Sequence, residues 1–110
     1  MAIQAIEIAE FAGAPHYLGI DCRVHGQILV AQDRCDDALR SFARAIELFE
    51  KIGSRLELHR VQNQRAALHL AHGDTAQHDA ARADIARARD AFAEMGAAPD
   101  RRRAERLLEP

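Results

Sequence analysis

The sequence predicts an all-α protein, and three observations support this class. Alanine accounts for 23 of the 110 residues, tryptophan is absent, and aromatic residues make up only 5 % of the chain. Strands favour β-branched and aromatic side chains, whereas alanine and leucine lose little entropy in a helix. A short apolar segment also recurs along the chain, as expected for a helical repeat.

The recurring segment is nine residues long and occurs three times. Residues 5–13 align with residues 45–53 and with residues 88–96. Each copy ends in glycine, which adopts the positive φ that a helix C-terminus favours. The match between the second and third copies also extends toward the N-terminus. The equivalent residues there are Ala38, Phe42, Ala43, Arg44 and Ala45 in the second copy and Ala81, Ile85, Ala86, Arg87 and Ala88 in the third.

Turn and cap residues divide the chain into helices. Pro15 and Pro99 fit the first turn of a helix, where the missing N–H is not needed. Asp33 is a candidate N-cap, and Ser54 with Glu57 forms a Ser-x-x-Glu capping box. The turn at residues 72–75 contains a glycine that ends one helix, followed by Asp74 or Thr75 as the start of the next. The predicted helices are 2–12, 15–32, 34–52, 55–72, 75–95 and 99–108.

Because all the connections are short, consecutive helices are expected to pack antiparallel. Helix hairpins that repeat with a period near 40 residues stack into a right-handed superhelix, in which each hairpin buries its apolar side on its neighbours. The sequence therefore predicts one domain, residues 1–110. It consists of a half repeat (1–13), two repeats (14–53 and 54–96) and a C-terminal capping helix (97–110).

The spacing of small and large residues within these repeats resembles the tetratricopeptide repeat (TPR) family. The residues that carry the resemblance are Gly26, Ala38, Phe42 and Ala45 in one unit, and Ala67, Ala81, Ile85 and Ala88 in the next. The chain departs from the family pattern at Cys22 and Asn63, at Glu50 and Ala93, and in its longer period. The longer repeats look like those of large bacterial signalling and transcription-regulatory proteins, and the Arg- and Ala-rich composition is typical of a GC-rich bacterial genome.

The resemblance implies a non-enzymatic protein-protein interaction module without a cofactor. In this family the first helix of each hairpin lines a concave face that holds a protein or peptide partner. Arg23 and Gln27, four residues apart on one helix, are expected to be exposed there. The implied partner-binding residues are Ile20, Arg23, Gln27, Val30, Val61, Gln64, Leu68 and His72.

Self-association is the alternative function. The predicted helix 2–12 has apolar residues on more than one side, and packing on the next helix covers only one of them. An exposed apolar patch of this kind favours a homodimer. The predicted contact residues are Ile3, Ile6, Ile8 and Phe11.

Composition argues against several other classes. The formal net charge is −2, which does not favour a nucleic-acid or membrane partner. No apolar run is long enough to span a membrane, and Met1 to Phe11 lacks a basic leader, so a cytoplasmic location is expected. Cys22 and Cys35 lie at opposite ends of a hairpin, which makes a disulfide improbable on geometric grounds.

Two side-chain clusters have the composition of possible sites, but we interpret both as surface. His69, His72 and His78 surround one turn, but a zinc site also requires further ligands and orienting carboxylates, so no metal is expected. Four arginines lie close together at residues 101–106 without aromatic residues to stack bases. We therefore interpret that segment as the solvated side of a capping helix.

Overall fold

The computed structural model describes residues 15–110, and this part of the chain is helical with no strand. The all-α class is confirmed. Each boundary agrees with the sequence-based prediction to within one residue. The predicted helix 2–12 lies outside the described residues, which hold five helices: α1 (Pro15–Ala31), α2 (Cys35–Ile52), α3 (Arg55–His72), α4 (Thr75–Glu94) and α5 (Ala98–Leu108).

Three of the helices end in the same backbone turn. Gly53 and Gly96 have φ values of 70° and 69°, which confirms the predicted glycine ends of α2 and α4. In each case the next residue donates its N–H to a carbonyl five residues back, from Ser54 to Phe49 (3.0 Å) and from Ala97 to Phe92 (2.9 Å). These bonds satisfy carbonyl groups that the helix leaves unpaired.

Asp33 makes the third turn of this kind, which corrects its predicted role as the N-cap of α2. Its φ is 59°, a value that aspartate tolerates better than most residues. Arg34, which is the N-cap of α2, donates its N–H to the carbonyl of Leu29 at 2.9 Å. Asp33 therefore completes the end of α1 rather than beginning α2.

The start of α4 is a capping box. The Asp74 carboxylate accepts from the N–H of Gln77 at 2.8 Å, and the Gln77 side chain accepts from the N–H of Asp74 at 3.0 Å. Of the two residues predicted to begin this helix, Asp74 is the cap. The reciprocal bonds satisfy two N–H groups that would otherwise lack partners.

The chain forms two compact units, Met1–Val61 and Gln62–Pro110, and the boundary falls within α3. In the first unit, α1 and α2 approach closely at two glycines. A Cβ atom at Gly26 would lie 2.5 Å from the Phe42 ring, and one at Gly19 would lie 2.6 Å from the Phe49 ring. Both distances are shorter than carbon atoms tolerate. The two pairs run in opposite order along the two helices, which is the antiparallel arrangement predicted.

In the second unit, α4 packs against α5, and the largest fully buried side chains of α4 are Ile85 and Phe92. α5 buries Ala104 and the carboxylate-bearing Asp100, which pairs with Arg103 at 3.2 Å. On α3 the fully buried alanine is Ala66, at 1 % exposure. Ala67, which carries the resemblance to the TPR pattern in this helix, is only half-buried.

The second helices of the two predicted hairpins bury equivalent residues. Four positions with spacings of four, three and four residues are at most 1 % exposed in each helix. In α4 they lie 43 residues beyond their counterparts in α2. The positions are Ala38, Phe42, Ala45 and Phe49 in α2 and Ala81, Ile85, Ala88 and Phe92 in α4.

We expect Gly26→Ala to destabilise the protein, although alanine is the better helix former. The new methyl group would overlap the buried Phe42 ring, and overpacking of this kind costs about 1–3 kcal/mol, against a gain of at most about 1 kcal/mol in helix propensity. Phe42→Leu should remove the overlap, so that the double variant is no less stable than Phe42→Leu alone. Urea denaturation measures all three, and a more stable Gly26→Ala variant would contradict the close approach.

Candidate functional site

The four residues of α1 that the resemblance assigned to a concave face differ in exposure. Gln27 and Val30 are exposed, whereas Ile20 and Arg23 are half-buried. Ile20, Arg23 and Gln27 still share one side of the helix, because they are three and four residues apart. The expectation that Arg23 is freely exposed is corrected, since its side chain is only 18 % exposed.

The four residues assigned on α3 are less accessible. Val61 is fully buried and Leu68 is 5 % exposed, so both are core residues. Gln64 is half-buried, and its Oε1 atom is enclosed without a hydrogen-bond partner among the described residues. His72 is exposed at the end of the helix. Val61, Gln64 and Leu68 are poorly accessible because α3 has no exposed residue from position 56 to position 70.

The residues predicted to mediate self-association, Ile3, Ile6, Ile8 and Phe11, lie outside the described residues. Their role stays a prediction.

Arg23 is held by a carboxylate of α3. Its Nε lies 3.5 Å from Oε2 of Glu57, and Oε1 of Glu57 accepts a hydrogen bond from Arg60 at 2.8 Å. The Glu57 side chain is 12 % exposed. Glu57, predicted from its spacing to close a capping box with Ser54, thus faces two arginines and connects α1 with the first turn of α3. A buried carboxylate requires such partners because it has lost its water.

In the described part of α1 the exposed large apolar residues are Tyr17 at 67 %, Ile28 at 43 %, Val30 at 38 % and Val24 at 36 %. The half-buried Asp21 lies four residues after Tyr17 on one side of the helix. Tyr17, Val24 and Ile28 lie along that side, because they are seven and four positions apart. We call this set the α1 stripe. None of these three residues is among the predicted binding residues, although their spacing is visible in the sequence. The buried side of α1 carries Leu18, Gly19, Cys22, Gly26 and Leu29.

The exposed residues of α1 carry no Asp, Glu, Lys or Arg. Eight residues of α1 are exposed, and the remaining five beyond the α1 stripe are Pro15, His16, Gln27, Val30 and Ala31. α2 also has eight exposed residues, and six of them are charged. Loss of charge distinguishes the centre of an interface from ordinary surface. The contrast therefore identifies the outer side of α1 as the candidate site.

Charge is concentrated instead at the start of α2. The Asp37 carboxylate accepts hydrogen bonds from Arg34, at 2.6 Å and 3.0 Å, and from Arg40. These guanidinium groups, Arg34 first, hold the pKa of Asp37 below its ordinary value. The cluster is exposed, so it contributes little to stability.

Neither cysteine forms a disulfide, and Cys22 is buried whereas Cys35 is half-buried. Cys22 is 3 % exposed and fills space on the buried side of α1, as a small apolar residue does.

No protein-family model matches this chain. A search of curated proteins returned no match, and a search of solved structures returned none. Among the helices of the described residues, none is both long and apolar enough to cross a bilayer.

We expect Arg23 and Glu57 to be energetically coupled. Arg23→Met removes a partner of a largely buried carboxylate and should cost about 1–3 kcal/mol. A double-mutant cycle with Glu57→Gln should give a coupling energy within about 0.5–3 kcal/mol. Arg40→Met, which removes an exposed ion pair, is the control and should destabilise the protein less than Arg23→Met does. Denaturation curves that show additive effects of Arg23→Met and Glu57→Gln would rule out the coupling.

Proposed function

We propose that this chain is a non-enzymatic helical-repeat module that binds another protein through the outer side of α1. The observation that carries the proposal is the absence of charge from the exposed residues of α1, next to a second helix whose exposed residues are mostly charged. A solvated surface without such a role normally carries charged residues, and an apolar patch without charge marks an interaction site.

The repeat architecture proposed here is a right-handed stack of antiparallel hairpins similar to TPR arrays. Equal burial of four equivalent positions in α2 and α4 supports it, as does the shared form of the helix ends at Gly53 and Gly96. In arrays of this kind the first helix of a hairpin faces the ligand, and α1 holds that position in the first hairpin. By the resemblance to long-period repeats, the module belongs to a larger bacterial signalling or transcription-regulatory protein.

Self-association is the second candidate. Two copies that met through α1 would bring few like charges together, because the exposed residues of that helix carry no Asp, Glu, Lys or Arg and its one carboxylate, Asp21, is half-buried. The predicted apolar contacts of residues 3–11 would extend such an interface.

Affinity enrichment from a lysate of the source cells tests the proposal. The wild-type chain, an Ile28→Asp variant and an Ala43→Asp control on the exposed side of α2 are compared as baits. We expect a protein that the wild type and the control retain and that Ile28→Asp loses, because a buried charge without a partner is costly at an interface.

Analytical sedimentation of the same three chains addresses the second candidate. A dimer that Ile28→Asp dissociates, with no other protein retained, would favour self-association. Retention of the same proteins by all three baits would contradict a binding role for α1.

A further inference from the structure

We propose that the exposed side of α5 is a second interaction surface, at which Arg102 and Arg106 bind a carboxylate-rich segment of another protein. This goes beyond the proposed function, which concerns α1 of the first unit, because α5 belongs to the second unit. Three observations support it: the two sides of α5, the ion pairs of its arginines and its balance of charge.

Arg102 and Arg106 lie opposite the buried side of α5. The buried residues of this helix are Asp100 and Ala104. Each arginine follows one of them by two residues, which places it about 200° further around the helix axis. Both arginines are exposed, and they are four residues apart, so their side chains are neighbours on the outer surface. We call these two residues the α5 arginine pair.

The α5 arginine pair differs from the other two arginines of this helix in facing no carboxylate. Arg101 pairs with Glu105 at 3.5 Å, and Arg103 pairs with Asp100 at 3.2 Å. Among the described residues, no carboxylate lies within ion-pair distance of either member of the pair. Nε of the second member donates to the backbone carbonyl of the first, at 3.4 Å. The pair can therefore bind an external anion without breaking an ion pair.

The balance of charge on α5 favours an anionic ligand. The helix contains four arginines and two carboxylates, whereas the whole chain has a net charge of −2. Like charges four residues apart on a helix repel each other. An anion bound between the two guanidinium groups replaces this repulsion with charge-assisted hydrogen bonds.

Carboxylate groups of a protein match this surface better than nucleic-acid phosphates do. A guanidinium group binds a carboxylate through two parallel N–H donors. The members of the pair are about 6 Å apart along the helix axis, a spacing that Asp or Glu residues match at i and i+4 of a helix or at i and i+2 of an extended segment. Nucleic acids are bound over broad basic surfaces with aromatic residues that stack on bases, and α5 has no aromatic residue.

Nuclear magnetic resonance of the arginine side chains tests the proposal on the full chain. The Nε–H signals of isotope-labelled protein are followed during titration with three probes. The first is a peptide of Ala and Gln with Glu at i, i+4 and i+8, the second has Gln at those positions, and the third is a single-stranded oligothymidine. We expect saturable displacement of the signals of Arg102 and Arg106 by the acidic peptide, none by the Gln peptide and less by the oligothymidine. Salt should weaken the binding.

Variants of the full chain assign the signals and locate the contact. Arg102→Gln should weaken binding of the acidic peptide about two- to fivefold, the factor that corresponds to loss of one exposed ion pair. The double variant with Arg106→Gln should weaken it further. Arg82→Gln is the control, because it removes an exposed arginine of α4 that pairs with Asp79, and it should bind as the wild type does. Glutamine is close to arginine in helix propensity, and circular dichroism verifies that each variant is folded.

Ile28→Asp separates this proposal from the proposed function. The substitution lies on α1, so this variant should bind the acidic peptide as the wild type does, even if no lysate partner depends on Ile28. A lysate partner that depends on Ile28, with no response of the α5 arginine pair to the acidic peptide, would leave the proposed function standing and overturn the role of α5.

Three further results would overturn the proposal. Equal displacement of the signals of Arg82 and Arg87, which are exposed on α4, would reveal a general effect of charge. Unchanged affinity of the double variant would place the contact elsewhere, and tighter binding of the oligothymidine would assign the surface to a nucleic acid. Displacement on raising the concentration of the chain alone would assign it to a second copy instead.

Discussion

The first unit depends on the close approach of two helices at points where one of them has no side chain. Gly19 and Gly26 are seven residues apart on α1, and the rings of Phe49 and Phe42 occupy the space that their Cβ atoms would take. Two contacts of this kind fix the distance between the helices and also their register, because a shift by one residue would place a Cβ against each ring. The rings are almost completely buried, so each contact also contributes hydrophobic stabilisation.

This arrangement divides α1 into two sides with different requirements. The buried side must be small where it accepts the rings, and glycine occupies both of those positions. The outer side has no such constraint, yet its exposed residues carry no charge, in contrast to those of α2. Packing within the unit does not explain this absence. We propose that a partner covers the α1 stripe, where added charge would have to be desolvated and where Asp21 is already half-buried.

Most of the fold could be predicted from the sequence because its signals are local. Gly53, Gly96 and Asp74 end or begin helices through bonds to residues a few positions away, and the prediction was correct for each of them. Such local signals do not reveal contacts between residues that are distant in the sequence. The ion pair between Glu57 and Arg23 of another helix is one such contact. Val61 and Leu68 were assigned to an open face because the sequence does not reveal that α3 has no exposed residue over fifteen positions. The α1 stripe and the packing role of Gly19 were detectable as seven-residue spacings.

Proton NMR tests the contacts between the two glycines of α1 and the two phenylalanine rings of α2. We expect nuclear Overhauser contacts from the α-protons of Gly26 to the Phe42 ring and from those of Gly19 to the Phe49 ring. The glycine resonances should also be displaced by ring currents, and Phe42→Leu should abolish this displacement for Gly26 and leave it intact for Gly19. Ring contacts to other residues of α1, with none to either glycine, would contradict the register on which the rest of the structure depends.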